Sequence, residues 1–526
     1  MERRVRGNSH ARCEAGENSE ITSKSYLSLY GITASAIMAI GLNHIGIKPK
    51  VRLPRRISEG FGLSEKIVDE IDEGIVITVD NGIAAVDPIQ KAKDKGLTVI
   101  VTDHHLPNAD GVLPNADYII NPHLPGTADF AEYCGAGIAY KLCCEFVKDE
   151  RIRAIMSGYA AIGTIADVTP ILHDNRNIVN EGLKNLLNRE TRTTGMGALL
   201  NSCYLNDHIS PTDVGFRIGP ALNAPGRLYD DGAMIALKTI VYNGNYGNAR
   251  KLADNLVNIN ETRKELAADT MEEAYYNIST NCLHGDSFLS VYLPGTPEGL
   301  TGIIAGRLAE NMQSPCIVFT DSQEKGVLKG SGRSYGGIDL KGLLDENQDL
   351  LLKYGGHTGA AGVSISKENL NELRSKLIES VDALPEIEID DTVYYDLEID
   401  ASEVPKMIAE QKKYEPFGHG NPKPIFKIKN FELTSPRHSG FYTLKGADKN
   451  TITMHGQHAQ ATGFGLASEY LDLNKPMCLD FIGTIGENHF RGNITPEVEL
   501  AAMKDSQKTM EQTSLAKLLA KTAQER

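Results

Sequence analysis

The chain has 526 residues and a mass of 57.3 kDa, too long for one hydrophobic core, so three or four domains are expected. With 41% hydrophobic and 23% charged residues it reads as a soluble cytoplasmic protein; its early apolar run, Ile32 to Leu42, is too short for a membrane span and lacks the flanks of a secretory signal. A net charge of −15 argues against indiscriminate binding to phosphate backbones, and eight cysteines without a CxxC pair argue against structural zinc or a disulfide framework.

The first clear element is "GIVITVD" (Gly74–Asp80), a β-branched run of the kind found in strands buried on both faces. A helix comes next, with Pro88 in its first turn and Gly96 at its stop. "LTVIVTD" (Leu97–Asp103) and "DYIINP" (Asp117–Pro122) are the next strands, and the alternation implies a parallel α/β sheet. "CGAGIAYKLCCEFV" and "SGYAAIGTIAD" read as packed helices completing this domain. Ala249, Leu252, Ala253, Leu256 and Val257 share one helical face, predicting a long connecting helix near 245–275. Strands return at "SFLSVYL" and "PCIVFTD", with "GLTGIIAGRLAENM" as the helix between them. Many short β-like runs between about 390 and 503 suggest a small barrel, and the tail after Asp505 reads as a marginal helix or disorder.

Asp80 and Asp103 each end a buried parallel strand, where open α/β sheets bind ligands. With His104 and His105 behind Asp103, and Asp167 at a helix end, they form a plausible site for Mn²⁺ or Mg²⁺. A lone aspartate at a strand end more often caps the next helix; for the five residues together the metal reading is favoured.

"ITVDNGI", "VTDHH", "CGAGIAYKL" and "GTIADVTP", in this order, resemble the motifs of the DHH phosphoesterase superfamily, whereas "RLPRRISEGFGLSEKIVDEI" and "RIGPALNAPGRL" narrow the resemblance to its RecJ-type members. "SGRS" (Ser331–Ser334) and "YGGHTGAAG" (Tyr354–Gly362) look like motifs of the DHHA1 domain, and "YEPFGHGNPKPIF" like the entry to an OB-fold. The resemblance implies an α/β architecture: an atypical N-terminal segment (1–30), a parallel-sheet DHH domain (31–227), connecting helices (228–279), an α/β DHHA1 domain (280–385), a C-terminal OB-like β-barrel (386–505) and a tail (506–526).

It also implies a single-strand-specific 5′→3′ DNA exonuclease with a two-metal site in DNA repair and recombination, working beside a helicase or single-strand-binding protein. Asp80, His104 and Asp167 would bind metal, with Asp103 and His105 orienting ligands or touching the scissile phosphate. Arg55, Arg227, Ser331, Arg333 and His357 would hold phosphates, and Gly355 and Gly356 would let the strand approach closely. For Phe441, Tyr442, Phe464 and Phe490 in the OB-like block, the core role is favoured over base stacking.

One motif departs from the family. Where RecJ-type enzymes carry D-x-D-x-D-G on a first strand, this chain has "SYLSLYGIT", with Tyr26, Ser28 and Tyr30 at the aspartate positions and no Asp or Glu between Glu20 and Glu59. The alternating run is compatible with a strand that keeps the fold and loses the ligands. Alternatives are therefore a catalytically impaired single-strand-binding relative, or a DHH phosphodiesterase acting on short oligonucleotides.

Overall fold

The computed structural model describes residues 27–506, apart from 57, 61, 109–110, 127–128, 386–391, 436–439, 447–448 and 491–492. Tyr26 and the C-terminal tail therefore lie outside the described residues, as do the side chains of Ser28, Tyr30 and Phe490. The described residues divide into two compact units, one within residues 27–385 together with 418–421, the other within residues 392–417 and 422–506.

In the first unit, helix α1 (Leu27–His44) precedes a short α2 (Glu65–Asp69), strand β1 (Ile75–Val79), helix α3 (Val86–Asp94), β2 (Thr98–Thr102) and β3 (Tyr118–Ile120). The β-branched runs form the expected parallel sheet, ordered β1-β2-β3, with Ile75 beside Thr98 and Ile100 beside Tyr118. Val76, Val99 and Val101 bury one face against Val68, Ile89 and Ala92.

The expected extra strand is not formed: Leu27 to Tyr30 belong to α1, and β1 is an edge strand among the described residues. The physical reason lies downstream. "GITASAIMAI" is a helix buried around most of its circumference, with Ile32, Ala34, Ala36 and Ile37 fully enclosed. Extending it through leucines adds a hydrogen bond per residue without a new nucleus.

Around α1 pack α4 (Gly135–Phe146) and α5 (Glu150–Ala166), followed by α6 (His173–Leu187). Gly163 fixes the closeness of this packing, since a β-carbon there would lie 2.4 Å from Ala136 Cβ and 2.8 Å from Thr33 Oγ1. Next come α7 (Thr194–Ser202), α8 (Gly219–Leu228), α9 (Gly232–Val241) and the 35-residue α10 (Tyr246–Thr280), capped by Asn245. Ala249, Ala253 and Leu256 of α10 enter the first core, whereas Ala267, Met271, Ala274 and Ile278 enter a second. One helix thus belongs to two cores, the arrangement expected of a connecting helix.

The second core lies under β4 (Leu289–Tyr292), α11 (Glu298–Met312) and β5 (Cys316–Asp321), and a third is enclosed by the other face of β5 with β6 (Val327–Arg333), β7 (Leu351–His357) and β8 (Ala360–Ser366). The sheet order is β4-β5-β6-β8-β7, with β4 and β5 parallel and the other pairs antiparallel.

The other compact unit is a seven-stranded sheet: β9 (Leu397–Asp400), β10 (Ile425–Glu432), β11 (Tyr442–Lys445), β12 (Thr451–His455), β13 (Gln460–Gly463), β14 (Cys478–Phe490) and β15 (Asn493–Asp505). Its order is β11-β12-β13-β15-β14-β10-β9, over a core including Phe426, Phe431, Met454 and Phe481. Tyr442 packs on Tyr470 at 5.2 Å between ring centroids, as a core residue; Phe464 is half-buried and Phe441 exposed. Among the described residues no helix is long and apolar enough to cross a membrane.

Candidate active site

Asp80 leaves the end of β1 with φ +63, a left-handed conformation that aspartate tolerates better than most residues. Its N–H donates to Thr102 O at 3.0 Å, fixing it to the next strand. Gly135, at the start of α4, stands so close that a β-carbon there would meet Asp80 Oδ1 at 2.2 Å.

Asp103 comes directly after β2. Its Oδ1 accepts from the main-chain N–H groups of His104 and His105 at 2.8 and 3.2 Å and pairs with His105 Nδ1 at 2.7 Å; Oδ2 accepts from Ile83 N–H at 2.9 Å. Burial raises the pKa of Asp103, but these bonds, the one from His105 above all, outweigh it and hold the carboxyl below its ordinary range. Asp103 is thus occupied in shaping the turn and orienting His105.

Asp167 caps the C-terminal end of α5 and completes a convergence. His104 Nε2 lies 3.2 Å from Asp80 Oδ1 and 3.6 Å from Asp167 Oδ2. Burial disfavours a charged imidazole, yet contact with Asp80 and the charges of Asp167, Asp80 and Asp103 push the His104 pKa up to about 9. Burial, assisted by the like charge of Asp80, pushes Asp167 up to about 7.

The cluster fits a divalent cation. Asp80 Oδ1 and Oδ2, His104 Nε2 and Asp167 Oδ2 are all buried without a well-directed hydrogen bond, a costly state for polar groups unless a ligand compensates it. Donors about 2.0–2.1 Å from a small cation stand about 3 Å apart, close to the spacings seen here. As the side chains stand, no group of three or more His, Cys, Asp or Glu among the described residues is placed to hold a metal ion; the imidazole lies against the carboxylates.

A second group of polar residues gathers about α11. Arg227, from α8, is buried and donates through Nη1 to Gly299 O at 3.0 Å. Ser331 and Arg333 share a face of β6, linked from Arg333 Nη1 to Ser331 Oγ at 3.2 Å. A β-carbon on Gly302 would lie 3.0 Å from both side chains. His357 ends β7, and its Nδ1 accepts from Gly359 N–H at 3.1 Å, which places a neutral ring's proton on Nε2.

Two expectations change in character. Arg55 is exposed and 3.9 Å from Glu59, whereas the Nη1 of Arg56 is shut off from solvent and feels the charge of Arg227. Burial and that like charge both pull the Arg56 pKa down, with Glu298 opposing; a guanidinium starts too high to lose its proton, so two cations remain side by side. The doubled "RR" in the sequence offered no means of choosing between them. Gly355 and Gly356 lie on β7, opposite Gly362 and Ala361. A side chain on Gly356 would meet Ala360 O at 2.3 Å, so strand packing already requires this glycine.

This fold and these clusters define a DHH-type phosphoesterase. The chain matches the models of the DHH family N-terminal domain over residues 30–164, the DHHA1 domain over 285–383 and the RecJ OB domain over 395–502. It is 32% identical to the single-stranded-DNA-specific exonuclease RecJ of Bacillus subtilis over 476 residues, which cover 89% of this chain and 59% of that protein. It is also 32% identical to RecJ of Haemophilus influenzae over 422 residues, 75% of this chain and 72% of that one. Among solved structures, RecJ of Thermus thermophilus in complex with Mn²⁺ superposes with a TM-score of 0.72 at 23% identity, covering 96% of this chain and 72% of that one. An exonuclease RecJ bound to manganese gives 0.58 at 28% identity, over 69% and 90%. The chain belongs to the RecJ family of single-stranded-DNA-specific exonucleases, hydrolases of phosphodiester bonds.

Proposed function

We propose that this chain engages single-stranded DNA at its 5′ end and hydrolyses it with Mn²⁺ or Mg²⁺ held by Asp80, His104 and Asp167. The observation that carries this reading is the convergence of four buried donor atoms from those residues, none with a well-directed hydrogen bond. A divalent ion there would polarise the phosphate and supply a nucleophilic hydroxide from bound water. Asp103 holds the turn carrying His104 and keeps His105 oriented. Arg56 and Arg227 together favour an anion, and with Ser331, Arg333 and His357 they would grip phosphates of the strand. The likeness to a manganese-bound RecJ supports the choice of metal.

An enzyme confined to single strands needs duplexes opened for it, which makes a helicase or single-strand-binding protein the expected partner and the cytoplasm the expected compartment. The test is release of nucleotides from a 5′-phosphorylated single strand with Mn²⁺, compared with an Asp80→Asn, His104→Ala variant. Equal release by both proteins would sink the reading. A second reading, a strand-binding protein of low turnover, is favoured by α1, which occupies the place of the first-strand carboxylates. It predicts strong strand binding with little product.

A further inference from the structure

We infer that the Asp80–His104–Asp167 cluster is a one-ion site, in contrast to the metal pair expected of its family. The inference rests on the reading of this cluster as a metal site and concerns how many ions it holds. Two carboxylates, Asp80 and Asp167, meet His104 there, and their two negative charges balance a single divalent cation. The third carboxylate, Asp103, is largely engaged: Oδ1 accepts from His104 and His105, and Oδ2 from Ile83. His105 commits Nδ1 to Asp103, and any donation from its other nitrogen would add no charge. The neighbouring Cys134 is also engaged, its Sγ accepting from Gly137 N–H and lying 3.5 Å from Thr164 Oγ1.

Helix α1 does not make up the difference. The sequence has no Asp or Glu from Ile21 to Ser58, a stretch that includes all of α1. Repulsion between two divalent ions is four times that between unit charges at the same separation, and paired sites contain it with carboxylates shared between the metals. Four buried donor atoms from three residues furnish much of one coordination shell, completed by water, and are too few for two.

The experiment is a titration of the full-length, chelator-stripped protein with MnCl₂, monitored by electron paramagnetic resonance and by calorimetry. The expected result is one tightly bound ion per chain, with an isolated-Mn²⁺ signal and no exchange-coupled signal at higher Mn²⁺. Asp80→Asn and Asp167→Asn should each weaken that ion at least tenfold with an unchanged circular dichroism spectrum. Asp174→Asn, altering a carboxylate paired with Lys141, serves as a control and should leave the stoichiometry at one. Two ions with exchange coupling would overturn the inference while leaving the metal-dependent reading standing. One ion indifferent to Asp80→Asn and Asp167→Asn would overturn the assignment to this cluster. No tight ion would overturn both the inference and the proposed metal chemistry.

Discussion

Replacing Gly135 by alanine tests the cluster through a residue that donates nothing to a metal. The added β-carbon would stand 2.2 Å from Asp80 Oδ1, 2.6 Å from its Cβ and 2.7 Å from its Cγ. A carbon–oxygen contact settles at about 3.3–3.6 Å, so the carboxylate must retreat by roughly 1 Å. Side-chain rotation cannot accomplish this alone, because Asp80 Cβ is itself in the way and the main chain is fastened to Thr102. Functional groups tolerate displacements of only about 0.5 Å. The expected loss of Mn²⁺ affinity is roughly tenfold to a hundredfold, the range for disturbed supports of metal ligands, with an overpacking cost of about 1–3 kcal/mol. Thermal unfolding with and without Mn²⁺ separates the two effects. At a concentration a hundred times the parent's Kd, the ion stabilises the parent by about 2.7 kcal/mol, and a variant binding a hundredfold more weakly by only about 0.4 kcal/mol. A variant that keeps the parent's full Mn²⁺ stabilisation would refute the geometry.

Asp103→Ala should destabilise the metal-free protein by about 2–4 kcal/mol, because it strands the buried Ile83 N–H and the donors of the His104–His105 turn; Asp103→Asn should cost less, and denaturant titration checks both. Arg56→Ala should weaken binding of a 5′-phosphorylated single strand about tenfold and flatten its salt dependence, whereas Arg55→Ala should change binding less than twofold, measured by fluorescence anisotropy. Ser28→Asp with Tyr30→Asp should leave nuclease turnover unrestored in the single-strand assay, because positions two apart fall on different faces of a helix, unlike a strand.

The parallel sheet was legible because its strands are written in β-branched residues and end in Asp80 and Asp103, and the connecting helix because its alanines and leucines keep helical spacing. The cluster was legible for the same reason, since strand ends and a helix end deliver ligands to one place. What escaped the sequence was which of two adjacent arginines turns inward. Arg55 and Arg56 are chemically equal, and only the fold gives one of them Glu59 and the other Arg227.

The run at Tyr26 to Tyr30 escaped for a different reason. Leucines alternating with Tyr, Ser and Tyr over five positions suit a strand locally, but Leu27 and Leu29 serve a helix as well, and a five-residue pattern carries no information about its C-terminal neighbours. Those neighbours are "GITASAIMAIGL", whose burial against α4 and α5 is a tertiary gain, and the four described residues upstream join its hydrogen-bond ladder. The cost falls on the site. Among the described residues β1 keeps an edge with no strand beside it, and Asp80, at its end, faces His104 and Asp167 without a carboxylate from a strand on that edge. The loss of ligands and the change in local conformation thus compound one another: aspartates substituted into α1 alone should fail, because recovery needs both the carboxylates and a strand along the β1 edge to carry them.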